Sequence, residues 1–220
     1  VYTVHTGRIS VWTVFFMCKI IKRLLICALL VVFCWTWDIA ADRKKLNNNL
    51  IRLHVVANSD ETVDQEIKLQ VRDAVLKSIQ SDLRKIKDIR LAKEYIRDNL
   101  SRIQEAANET LIALGVEQRA IATFCQETFN IRHYDTFSLP AGVYDSLRIV
   151  IGAGEGRNWW CVAFPSLCLP ATTEEFEAVA VNAGLSPKLV DTISNGGRHQ
   201  LRFFCLEKLG QVQKCLFTGK

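Results

Sequence analysis

The 220-residue chain reads as an α+β protein: a mostly antiparallel sheet, two long helices packed on one face, and a short helical C-terminal extension. Three observations predict this. Residues 51–58 alternate with a period of two. Apolar residues between 62 and 114 recur at steps of three and four. From 117 to 164 the period returns to two.

In the first strand Ile51, Leu53, Val55 and Ala57 share one face, and Arg52, His54, Val56 and Asn58 the other. Asn58-Ser59-Asp60 is turn chemistry, and Thr62-Val-Asp-Gln65 has the spacing of a capping box that opens a helix. Ile67, Val71, Ala74 and Val75 form the apolar stripe of that helix, widened by Leu69, Leu76 and Ile79. A second helix of about 26 residues is expected from Ile89 to Leu114, with Gly115 as its stop.

Glu117–Glu127 reads as a strand, 130–139 as irregular or extended, and Pro140-Ala-Gly142 as a turn. Val143, Leu147, Ile149 and Ile151 alternate as a further strand, with Tyr144 and Val150 on its opposite face. Asn158–Phe164 is apolar on both faces, so a central, fully buried strand is expected there. Thr172 and Ser186-Pro187 open two short helices, the first stopped by Gly184. Gly196-Gly197 is a break, and Leu201–Leu209 makes a last amphipathic element.

The ends suggest a domain plan. Met17 is the one methionine, so residues 1–16 are expected to be an upstream extension. Residues 17–41 hold a basic stretch, Lys19 to Arg23, then fourteen uncharged residues, Leu24–Trp37, and a small-residue exit at Ala40-Ala41. That pattern is a secretory signal peptide; fourteen helical residues span about 21 Å, short of the ~30 Å hydrocarbon core, although a short retained anchor is the alternative. Residues 42–49 (DRKKLNNN) are expected to be a polar tether, 50–170 the core domain and 171–220 a C-terminal extension.

Charge divides in the same way. Up to Ala41, Arg8, Lys19, Lys22 and Arg23 stand against Asp38, while the remainder carries 24 basic and 22 acidic residues. Such a balance leaves no electrostatic footprint for nucleic acid. Outside the expected signal lie Cys125, Cys161, Cys168, Cys205 and Cys215, an odd set with no CxxC spacing of a zinc site.

Ile151–Cys168, IGAGEGRNWWCVAFPSLC, raises three chemical readings. A phosphate cradle needs its glycines between a strand and a helix N-terminus; here both flanks read as strands, so Gly152, Gly154 and Gly156 are expected in a hairpin connection. A nucleophilic Cys161 needs a thiolate stabilised by His54, His133 or His199, yet its strand is apolar. The third reading is a staple: in an oxidising compartment Cys161 and Cys168 would close an eight-residue loop worth about 2–2.5 kcal/mol before strain. Trp159 and Trp160 then bury on opposite sides of the sheet. No common hydrolase signature occurs, so no catalytic residue, metal or cofactor is expected.

IRLHVVANSDETVDQEIKLQVRDAVL (Ile51–Leu76) and LPAGVYDSLRIVIGAGEGRNWWCVAFPSLC (Leu139–Cys168) closely resemble the stage II sporulation protein R family of endospore-forming bacteria. A looser echo lies at Arg202–Lys208, and Val143, Ser146, Ala163 and Ser166 depart from the usual residues. The resemblance implies a signal rather than a catalyst. Such a protein is made in the forespore and exported into the space between the two sporulation membranes. There it triggers a membrane-embedded aspartic-type protease of the mother cell, which removes the pro-segment of the sigma factor E precursor. The polar motif residues Asn58, Ser59, Asp60, Asp64 and Glu66 are the expected docking surface, the alternative being that they only cap the helix. An extracytoplasmic cysteine hydrolase and a passive wall- or membrane-associated binding module are the rival functions.

Overall fold

The computed structural model describes residues 11–134, 137–165, 173–182, 185 and 187–194. Two compact units divide the chain, Val1–Ala41 and Asp42–Lys220. Helix α1 (Val11–Asn48) makes up the described part of the first unit and runs into the second. Leu24, Leu25, Ile26, Leu29 to Phe33 and Trp37 are exposed along it. Among the described residues no helix is long and apolar enough to cross a membrane, so the short-anchor alternative finds no spanning helix there.

The expected tether at 42–49 is corrected. Residues up to Asn48 are helical, and Leu46 is fully buried together with Leu50. The two leucines lie four apart, so one face of a polar segment still has an apolar anchor.

In the second unit, β1 (Ile51–Val56), β2 (Ala120–Phe129), β5 (Gly142–Ile151) and β6 (Asn158–Phe164) form a sheet in the order β2-β5-β1-β6. The β1–β5 pair is parallel, and β1–β6 and β2–β5 are antiparallel. The region 130–139 supplies a two-stranded ribbon, β3 (Arg132–His133) with β4 (Ser138–Leu139). Strand β6 lies at an edge of the sheet, not at its centre as its apolar run suggests. Nor is it buried throughout: Asn158 is exposed and Trp159 and Trp160 are half-buried, while in the second half both faces are covered, Cys161, Ala163 and Phe164 joining one core cluster and Val162 the other.

Helices α2 (Thr62–Leu83), α3 (Ile89–Asp98) and α4 (Leu100–Ala113) cover the first face. Ile67, Val71, Val75 and Ile79 of α2 meet Ile103, Ala107 and Leu111 of α4 over Leu53, Val55, Leu147 and Ile149. The single long helix expected from 89 to 114 is two helices. Their break falls at Asn99, whose side-chain amide donates to the Tyr95 carbonyl at 2.8 Å. An asparagine that bonds its own backbone competes with helix continuation, while the apolar stripe still reads through the break. Gly115, at φ 71°, ends α4 as expected: Val116 N–H donates to the Leu111 carbonyl at 2.9 Å and Gly115 N–H to that of Ile112 at 3.0 Å.

The second face is covered at one end by a smaller cluster. Leu46, Leu50, Phe129, Leu139, Tyr144 and Val162 meet Ala180 of α5 (Thr173–Asn182), Leu185, and Val190 and Ile193 of α6 (Pro187–Ser194). Helix α6 opens at Pro187, as the sequence suggests. The expected break at Gly196-Gly197 and the element at 201–209 lie outside the described residues.

Asn108 of α4 ties helix to sheet: its amide donates to the Ala120 carbonyl at 3.1 Å, and its side-chain oxygen accepts from Ala120 N–H at 2.8 Å. Asn108→Ala leaves both strand groups without that partner and is expected to lower unfolding free energy by about 1–3 kcal/mol in urea titrations.

Candidate functional site

The strand order dictates where the two long motifs meet. β5 and β6 flank β1 and do not pair with each other. The connection 152–157 must therefore cross the end of β1, where the chain leaves at Ala57–Asp60. The hairpin expected for the glycine run is corrected to this crossover.

The two backbones touch at the crossing. Gly156 N–H donates to the Ala57 carbonyl at 3.0 Å and Glu155 N–H to that of Asn58 at 3.1 Å. A Cβ on Gly156 would stand 2.1 Å from the Ser59 carbonyl oxygen, and one on Gly152, at φ 56°, 2.2 Å from Asn58 Oδ1. The glycines thus admit a neighbouring backbone, not a phosphate.

Side chains lock the crossing. Asn58 Oδ1 accepts from Ala153 N–H at 2.9 Å, while Asn58 Nδ2 donates to Asp64 Oδ2 at 2.8 Å. Ser59 Oγ donates to the same carboxylate oxygen at 2.6 Å and accepts from Glu61 N–H at 3.1 Å. These bonds, from Ser59 first and then Asn58, hold the Asp64 carboxyl below its ordinary value. Asp60 Oδ1 accepts from Arg157 N–H at 2.6 Å, with the Arg157 guanidinium 3.5 Å away. The buried Lys68 ammonium donates to the Arg157 carbonyl at 3.0 Å; burial, then the Arg157 charge, lowers its pKa.

The capping box does not form. Glu61 is the N-cap with no side-chain bond, and Gln65 turns outward from the helix to donate to the Ser59 carbonyl at 2.8 Å. The same groups that spell a capping box serve the crossing instead. Of the residues expected at a docking surface, Asn58, Ser59, Asp60 and Asp64 come together in one network, whereas Glu66 stands outside it and is exposed. Glu61, Thr62 and Val63 are exposed beside it, Val63 at 64%. The site is therefore a rigid turn with an acidic outer rim: Asp60, Glu61 and Glu66 around one apolar side chain.

Cys161 is disulfide-bonded and 3% exposed, and it packs in the helix-side cluster. Its expected partner, Cys168, lies outside the described residues. His54 projects from the opposite face of the sheet, because Leu53, not His54, is the register partner of Cys161. A pairing of the Cys161 thiol with His54 is thus split by the sheet, while His199, another candidate partner, lies outside the described residues.

The far face holds a polar cluster that periodicity could not show. His54 Nδ1 lies 3.1 Å from both oxygens of Glu127, its Nε2 lies 2.9 Å from Asn158 Oδ1, and Trp160 stacks on the ring at 5.6 Å. Burial works against the Glu127 charge, but the His54 bond, the nearby Ser146 hydroxyl, and the His54 and Arg148 charges hold its carboxyl below the ordinary value. Next to it Arg52 is fully buried, and among the described residues no carboxylate pairs with it. It donates to Tyr134 Oη at 2.8 Å and to the Cys161 carbonyl at 3.3 Å, with its guanidinium 4.4 Å from the Phe129 ring centre. Aromatic faces stabilise this cation in place of an anion. Burial lowers its pKa and the tyrosines Tyr134 and Tyr144 oppose that shift. Among the described residues no group of three or more His, Cys, Asp or Glu side chains could hold a metal ion.

A family model described as Stage II sporulation protein R matches residues 47–174, which hold β1 to β6 and α2 to α4. A curated relative from Bacillus subtilis (strain 168), named Stage II sporulation protein R, is 41% identical over 118 residues, covering 54% of this chain and 53% of the relative. The chain thus spans about half the length of that relative. No solved structure matches.

Two predictions follow from the crossing. Gly156→Ala drives a methyl into backbone and should cost about 2–4 kcal/mol in denaturant unfolding, whereas Gly115→Ala, with nothing within 4 Å, should cost only about 1 kcal/mol from its positive φ. The second concerns acid. Asp64 is depressed in the fold, so its contribution is fully present above the unfolded carboxylate value near 4 and is lost as pH falls through the lower folded one. Asp64→Asn should therefore show less loss of stability between about pH 4 and pH 2 than the parent, read by unfolding midpoints across that range.

Proposed function

Because the chain belongs to the stage II sporulation protein R family, we propose that it is an exported signalling protein of endospore formation. In this reading it acts outside the compartment of its synthesis and switches on a membrane-embedded aspartic-type protease of the mother cell. That protease then removes the pro-segment of the sigma factor E precursor. The family match over residues 47–174 carries the proposal.

The mechanism is differential binding. A protein ligand shifts its target between inactive and active states only by as much as it prefers the active one. A preorganised surface does this at least entropic cost. The crossing supplies such a surface: Asn58, Ser59 and Asp64 are positioning residues, held by bonds within the fold, and the acidic rim of Asp60, Glu61 and Glu66 with exposed Val63 makes the contact. In this reading the expected docking set is narrowed to Asp60 and Glu66, with Asn58, Ser59 and Asp64 as positioning residues and Glu61 and Val63 added to the contact.

The test is co-expression of this chain, the protease and the sigma precursor in a host without other sporulation factors, scoring precursor cleavage. The parent chain should give processing. Glu61→Lys with Glu66→Lys should reduce it at least tenfold while leaving the unfolding midpoint unchanged, since neither side chain makes a bond within the crossing. Full processing by the double variant would remove the rim as the contact, and no processing by the parent would remove the function.

A further inference from the structure

Among the described residues, the outer edge of β2 is open over one short window and closed beside it. Ala120 N–H and Ala122 N–H point away from β5, toward α4, where Asn108 Oδ1 accepts the first at 2.8 Å and Gln104 Oε1 the second at 3.0 Å. The β2–β5 register runs without a break from Ala120 to Phe129, so alternate residues repeat that orientation. Phe124, Gln126 and Thr128 therefore also turn their N–H and C=O groups outward. Among the described residues no hydrogen bond reaches these six groups. No lysine, proline or other blocking residue stands at the three positions, and Gln126 is exposed. Edges are usually blunted by such devices, and this one is blunted only where the Gln104 and Asn108 amides cap it.

We propose that β2 pairs through this window with β2 of a second copy of the chain, antiparallel, about a two-fold axis at Gln126. The capped positions fix the register, because among the described residues the edge leaves its groups to an incoming strand only from Phe124 to Thr128. With Gln126 opposite itself, Phe124 faces Thr128 of the second copy and Cys125 faces Glu127. No like charges meet across the dyad, and every outward N–H has a carbonyl opposite it. The Arg97 guanidinium, 5.0 Å from the Phe124 ring centre, roofs the window on the helix side. Two four-stranded sheets become one of eight strands, and the dimer presents two acidic rims to its target, which raises avidity without new contacts.

Disulfide trapping of the full chain in detergent tests the register. In a Cys125→Ser background, Gln126→Cys places two thiols about 5.5 Å apart at Cα and should form a linked dimer on mild oxidation. Thr123→Cys, on the same strand, sits about 20 Å from its own copy in that register and should link roughly tenfold more slowly. The background variant alone corrects for the other cysteines. Separately, Gln126→Pro removes an outward donor and leaves the β2–β5 ladder bonds in place, so the dimer fraction in sedimentation should fall several-fold with the urea midpoint kept. Equal linking rates at 126 and 123, or a parent chain that sediments as a monomer at every concentration, would overturn the proposal. The second result would leave the edge to an extended segment of another protein.

Discussion

The fold turns on one crossing. Because β1 lies between β5 and β6, the chain that joins those two strands must pass over the end of β1. At that point two backbones approach within hydrogen-bond distance, and only a residue without Cβ fits at 156. Everything nearby serves the contact. Asn58 bonds both the loop and the helix, Ser59 and Asp64 close the turn, and Lys68 fastens the loop from the side. The start of α2 is thereby aimed by the sheet rather than by its own cap.

The two faces of the sheet divide the remaining work. The helix side is an apolar core into which Cys161 is tied by its disulfide. The other side buries an arginine among aromatic rings and pins His54 between a carboxylate and an amide. Buried polar groups of this kind specify a geometry more than they add stability, since each tolerates little displacement before a bond is lost. A stiff sheet with a stiff turn at its end would suit the proposed signalling by contact.

Much of this was legible in the sequence. The alternation of Ile51–Asn58 placed Leu53 and Val55 in one core and Arg52 and His54 on the other face, and the stripes of α2 and α4 named the residues that meet. What could not be read is what depends on strand order. Nothing local says that β6 borders β1 instead of β5, so the glycine run looked like a hairpin and β6 looked central. The acceptor at His54 is Glu127, 73 residues away, and no periodicity links them. Elsewhere a local signal was outweighed: Thr62 and Gln65 have capping-box spacing, yet Gln65 is drawn to the Ser59 carbonyl because the crossing brings it within reach. Leu46, one apolar residue in a polar run, is buried together with Asn47 in a segment that composition marks as a tether, while Lys44, Lys45 and Asn48 stay exposed.

The central claim is that the rim at the start of α2 touches the target while the crossing beneath it holds still. A photo-crosslinking amino acid at position 66, introduced in sporulating cells, measures that contact directly. The account predicts a covalent adduct with the membrane-embedded protease from position 66, and none from exposed position 112 at the far end of α4. Normal sigma precursor processing with no adduct from position 66, or with equal adducts from both, would contradict it.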